Sequence, residues 1–86
     1  MEKQQLVSVD LLDSDSSGIV RQIQGGRELS SRLSSMGLSI GAELKVLQNR
    51  HHGPVLVLVR DTRIALGRGE AMKILVEEQG EQRERG

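Results

Sequence analysis

His51 and His52 are the strongest candidates for chemistry in this 86-residue chain. A neutral imidazole can act as a general base or ligate a metal, and the pair stands just before Gly53-Pro54. Adjacent residues of an extended backbone point to opposite sides, so the two could share one ion only if the loop bends. Zinc or ferrous iron held there would need carboxylates from elsewhere in the chain or from a second subunit. Two solvated loop histidines are the alternative. A second oxygen-rich stretch, Asp13-Ser14-Asp15-Ser16-Ser17-Gly18, resembles the first half of a calcium-binding loop, with oxygens at alternate positions before a glycine. Gln24 stands where the bidentate glutamate of such a loop belongs, and no helical pattern precedes it. The run therefore reads as a loop whose short polar side chains bond the local backbone.

Covalent catalysis has little to work with. The chain has no cysteine, hence no thiolate nucleophile, thiolate metal site or disulfide framework. Its serines cluster away from the histidines, and Gly67-Arg68-Gly69 lacks the surroundings of a phosphate-binding loop. We expect no enzymatic activity and no required cofactor, with a transition-metal ion at His51 and His52 as the one group the chain could take.

Composition narrows the classes of partner. Twelve basic and twelve acidic residues cancel, which leaves no net positive footprint to release counterions from nucleic-acid phosphates. The absence of every Phe, Tyr and Trp removes the platforms on which bases stack and the aromatic groove that binds proline-rich peptides. Arg60, Arg63 and Arg68 are interrupted by Asp61 and Glu70, which reads as a mixed-charge rim. No apolar run approaches the roughly 20 residues that span a bilayer, and MEKQQLVSVD has no signal-peptide core. A cytoplasmic protein that does not insert in the membrane is the expectation.

These residues must be held by short elements. Leu6 to Leu12 is an apolar strand or extended lead-in, and Ile19 to Gln24 alternates with the period of a strand. After Gly25-Gly26, Leu29, Leu33 and Met36 recur at helical spacing, and Gly37 followed by Leu38 forms a C-terminal stop. A helix of two to three turns is expected there. Gly41 launches the next strand, on which Leu44 and Val46 point inward. Val55 to Val59, an unbroken VLVLV, reads as a central strand covered on both faces. Arg60 to Arg63 connects it to a returning strand, Ile64-Ala65-Leu66; a helical turn at Glu70-Ala71-Met72 and a last strand through Ile74 and Val76 follow. The assembled expectation is mainly β with one short helix, a small SH3-like β-barrel over residues 1–77, built from Leu, Ile, Val and Met. Closure would remove exposed sheet edges. Residues 78–86 read as a disordered polar tail.

The ordered set of Gly25-Gly26, Arg32-Leu33, Met36-Gly37-Leu38 and Gly41, then Gly53-Pro54, Ile64-Ala65-Leu66 and Glu70-Ala71, resembles the FeoA family of ferrous iron uptake proteins. The resemblance spans roughly Leu6 to Glu77. It departs at the first turn, where the Asp/Ser run replaces a Pro-Gly-type turn. It implies an SH3-like fold and a non-enzymatic accessory protein that binds the FeoB membrane transporter, at its cytoplasmic GTP-binding region or in its assembly. FeoA-like barrels are also similar to the C-terminal domain of iron-dependent transcriptional repressors, which makes a stand-alone metal-sensing module the alternative. Gly25, Gly26, Gly37 and Gly41 are expected to serve backbone geometry. Leu33 and Met36 fit the core. The helix and its following turn, Arg32, Leu33, Met36 and Leu38, are the expected docking surface, because Leu38 and Ile40 follow the stop on a turn expected at the surface. The edge of the VLVLV hairpin is the second choice. Edges around Gly53-Pro54 suit a monomer or a weak homodimer.

Overall fold

The computed structural model describes residues 5–79. In chain order these form β1 (Leu6–Ser8), a 3-10 turn (Val9–Leu11), β2 (Ser17–Ile23), α1 (Gly26–Ser35) and β3 (Glu43–Gln48). Then come β4 (Val55–Val59), β5 (Thr62–Leu66), the single-turn α2 (Arg68–Ala71) and β6 (Ile74–Gln79). The strands make one antiparallel six-stranded sheet in the order β1-β6-β2-β3-β4-β5.

Strand alternation builds the core. Val20, Leu44, Val46, Val55, Val57, Val59, Ile64, Leu66, Ile74 and Val76 turn to one side, where Leu29 and Leu33 of α1 meet them. The VLVLV strand is second from the edge rather than central, and only its valines are buried; Leu56 and Leu58 on the other face are half-buried. An unbroken apolar run cannot by itself tell a strand buried on both faces from one covered on a single face. Core chemistry also differs from expectation, since Met36 and Met72 are exposed and Ala71 is buried. The last strand runs through Glu78 and Gln79, which pair with Gly18 and Ser17 although both were expected in the tail. Strand pairing needs only their backbone, so polar side chains do not prevent it. The rest of the expected tail, 80–86, lies outside the described residues.

The sheet does not close through hydrogen bonds, because β1 and β5 stand at opposite ends of the strand order. Side chains and turns bridge the gap instead. At its centre is Asn49, the one buried polar residue among those described. Its Nδ2 donates to the carbonyl oxygens of Asp10 (2.9 Å) and Leu12 (2.7 Å). Its Oδ1 accepts from the His51 N–H (2.9 Å) and from Arg68 Nη2 (2.6 Å). Arg68 Nε in turn donates to the Gly53 carbonyl at 3.1 Å. One amide thus ties the turn after β1, the β3–β4 loop and α2 together, with both of its donors and its acceptor oxygen in use.

Replacing Asn49 with alanine would strand the Leu12 carbonyl and leave the Asp10 carbonyl only its longer bond from Arg68 Nη1 (3.5 Å). The expected cost is about 1–3 kcal/mol. Thermal melts followed by circular dichroism should show it as a fall in Tm of roughly 4–8 °C per kcal/mol.

Candidate functional site

The end of α1 is the most heavily specified part of the surface. Gly25 precedes the helix at φ +130°, a conformation that a side chain would both strain and crowd, since an added Cβ would stand 2.8 Å from Leu29 Cδ2. At the other end, the Leu38 N–H donates to the Leu33 carbonyl and the Gly37 N–H to the Ser34 carbonyl, each at 2.9 Å. With Gly37 at φ +96°, this is a Schellman stop. The turn that follows is tied to β2: the Gly41 N–H donates to the Val20 carbonyl (2.7 Å) and the Val20 N–H to the Ala42 carbonyl (2.8 Å). Gly26 and Gly41 also lie at positive φ.

This geometry separates the four residues expected to dock a partner. Leu33 and Leu38 are both 0% exposed. The surface position expected for Leu38 is corrected: the residue after the glycine of a Schellman stop folds back apolar-to-apolar on the helix residue that accepts its N–H. Leu33 is likewise core, and neither side chain can touch a partner. Arg32 and Met36 remain accessible, Met36 at 38%. Ile40, two residues beyond Leu38, is 59% exposed and is the apolar side chain that this turn leaves at the surface. Its signal was present in the sequence as an apolar residue in a turn between two glycines.

Arg32 is held from across the molecule. Its Nη2 donates to Glu70 Oε2 in an exposed ion pair, while Glu70 Oε1 accepts the Gly67 N–H at 3.2 Å and caps α2. An exposed pair of this kind contributes little to stability but restricts the guanidinium to one side of the helix. Gly25, Glu28, Leu29, Arg32, Glu70 and Lys73 line the open groove between α1 and the α2–β6 corner.

The histidines lie elsewhere, in the β3–β4 loop. The loop does bend, with His51 at φ +68°, and the Asn49 tie presents the His51 side chain to the Asp/Ser loop. His51 Nε2 stands 3.8 Å from Asp13 Oδ1, with both side chains open to solvent. His52 is exposed as well. Among the described residues no group of three or more His, Cys, Asp or Glu converges as a metal-binding set. The pairing of His51 with Asp13 and the roles of Asn49 and Arg68 were not read from the sequence, because each joins residues far apart in the chain.

Comparison with known proteins places the fold and the sequence together. The FeoA domain profile matches residues 7–78. The chain belongs to the FeoA family. It is 48% identical over 60 residues to a Methanocaldococcus jannaschii protein that carries the provisional name Fe(2+) transport protein A, covering 70% of this chain and 72% of that one. A crystal structure of an iron uptake regulatory protein, FeoA, superposes with a TM-score of 0.80 at 33% identity, covering 87% of this chain and 99% of that one. The zinc-complexed FeoA of Stenotrophomonas maltophilia, described as a prokaryotic SH3-domain protein, matches with a TM-score of 0.73 at 25% identity, over 85% of this chain and 95% of the other. The fold of this FeoA-family chain is accordingly a small SH3-like one whose ladder stays open. It is also similar to part of the T. acidophilum IdeR, with a TM-score of 0.79 at 25% identity, covering 92% of this chain and 37% of IdeR. No helix among the described residues is long and apolar enough to cross a membrane.

The two leucines and the isoleucine make opposite demands. Leu38→Ala should cost about 2–5 kcal/mol in chemical denaturation, because it leaves a cavity under the helix stop. Ile40→Ala should stay within about 0.5 kcal/mol of the parent in the same assay.

Proposed function

We propose that this chain is a non-enzymatic cytoplasmic accessory of ferrous iron uptake that works by binding a FeoB-type membrane transporter at its cytoplasmic GTP-binding region. Family membership and the name of the Methanocaldococcus jannaschii relative support the process. The observation that carries the docking reading is the exposed apolar pair Met36 and Ile40, set on either side of the fully buried Leu38 and beside Arg32. Met is adaptable at contacts and Arg offers a planar fork of donors, a combination enriched at protein interfaces. Leu33 and Leu38 act from beneath by holding the turn in one shape, which reduces the ordering cost of binding. Regulation follows only if the rim prefers one conformation of its partner over another.

A second reading rests on the His51–Asp13 approach. In it the chain senses a divalent metal through those two side chains. His51 would supply an imidazole nitrogen and Asp13 a carboxylate oxygen to such an ion, and water or a second subunit would complete its shell.

Two measurements separate the readings. Tagged protein should capture the GTP-binding domain of the same organism's ferrous iron transporter, and Ile40→Asp or Met36→Asp should abolish capture while leaving the melt unchanged. Capture that survives both substitutions moves the docking surface elsewhere, and no capture in any nucleotide state counts against the partner. For the metal reading, zinc or ferrous iron in excess should raise Tm by mass action, and His51→Ala should remove the gain. An unshifted Tm, or a gain that persists without His51, rejects it.

A further inference from the structure

The β4–β5 hairpin carries a charge and edge pattern that the α1 rim does not use. Between Lys45 and Arg68 the chain holds five basic residues and one acidic residue, Asp61, although the whole chain is neutral. The strand register sorts these charges. Lys45 pairs with Leu58 and Leu58 with Arg63, so the outward face of the sheet reads Lys45–Leu58–Arg63 in one row. The neighbouring row is Gln48–Leu56–Ala65. Leu56 and Leu58 are half-buried, while Lys45, Arg63 and Ala65 are exposed. The result is an apolar strip with basic residues on both sides of it.

That strip ends at β5, an edge strand. Val59 and Thr62 close the hairpin across the loop Arg60-Asp61, with Arg60 at φ +57°. In an antiparallel ladder, hydrogen-bonded and non-bonded pairs alternate. Thr62, Ile64 and Leu66 then bond to β4, and Arg63 and Ala65 turn their N–H and C=O groups away from it. Thr62, Arg63 and Ala65 are exposed.

We propose that the free edge of β5 accepts an extended acidic segment of a partner protein as an added strand. Backbone bonds to Arg63 and Ala65 would supply affinity, and side chains of alternate residues would supply specificity. An acidic side chain opposite Arg63 extends the Lys45–Leu58–Arg63 row, and an apolar one opposite Ala65 extends the Gln48–Leu56–Ala65 row. The recognised pattern is therefore an acidic and an apolar residue two positions apart on one face. A second copy of this chain suits the edge less well, since it would bring an identical basic row alongside; a charged edge residue discourages self-pairing. The β5 edge shares no residue with the α1 rim, although Gly41 after the rim lines one groove with Leu58 and Arg60, and it stands or falls independently of the rim.

The test is fluorescence anisotropy of a labelled octapeptide repeating Glu-Thr-Val-Thr, which sets Glu and Val two positions apart on one face, titrated with the full chain at low salt. Saturable binding is expected, weakened about tenfold or more by Arg63→Glu and by raised salt. Ala65→Pro removes an outward N–H that an edge strand can spare, so it should keep the fold and abolish binding. Ile40→Asp should leave peptide binding unchanged, which distinguishes failure here from failure of the rim. The proposal is overturned by equal binding of the same peptide with Lys in place of Glu, by no saturation up to about 1 mM, or by full binding to folded Ala65→Pro or Arg63→Glu. Dimerisation in sedimentation that Ala65→Pro abolishes would assign the edge to a second copy instead. Binding only to phosphatidylserine vesicles would assign the basic strip to a membrane surface.

Discussion

The gap between β1 and β5 is the constraint on which the rest of the molecule depends. A sheet this small could have closed by pairing its two ends, but here the ends remain apart, and Asn49 instead links the turn after β1 to Arg68 of α2, which follows β5. The choice of an amide has a physical reason. Two carbonyls of the turn after β1 need donors, while the β3–β4 loop and Arg68 need an acceptor, and only Asn or Gln offers both in one neutral group. At 7% exposure an unmet partner would carry most of its desolvation penalty. Through this tie the turn after β1, the His51 loop and α2 keep fixed positions relative to one another.

Both candidate surfaces inherit their geometry from that closure. α2 follows β5 directly and is anchored by Arg68, so Glu70 arrives where it can pair with Arg32 of α1. The helix is thus gripped at three places: Leu29 and Leu33 below, the Schellman stop at its end, and Glu70 at its flank. What remains exposed, Met36 and Ile40, stands on rigid support. The same tie places His51 beside Asp13.

A core without aromatic residues shapes this economy. Among the described residues, sixteen aliphatic side chains, none larger than leucine or isoleucine, form the buried cluster. Small uniform side chains need close backbone approach to fill space. Gly18 shows it: a Cβ there would stand 2.9 Å from Val76 Cγ2 and 3.1 Å from the Glu77 carbonyl. The absence of Phe, Tyr and Trp also keeps stacking platforms off the surface.

Much of the fold was legible because its signals are local. Alternation in Ile19–Gln24, in Ala42–Leu47 and in the last strand, and the helical spacing of Leu29 and Leu33 ended by Gly37, depend only on the period of the backbone and on which residues tolerate positive φ. Even the burial of Leu38 was implicit in the stop signal, which requires an apolar contact back to the helix, although the residue had read as surface. By itself, then, the sequence determined most of the elements, the stop of the helix, the family and the absence of thiol and aromatic chemistry. The tertiary structure decided that VLVLV lies near an edge, that the sheet stays open, and that Asn49 meets Arg68, Arg32 meets Glu70 and His51 meets Asp13. Those pairs are 19 to 38 residues apart, and a contact across such a distance depends on strand order and register, which no short window of sequence contains.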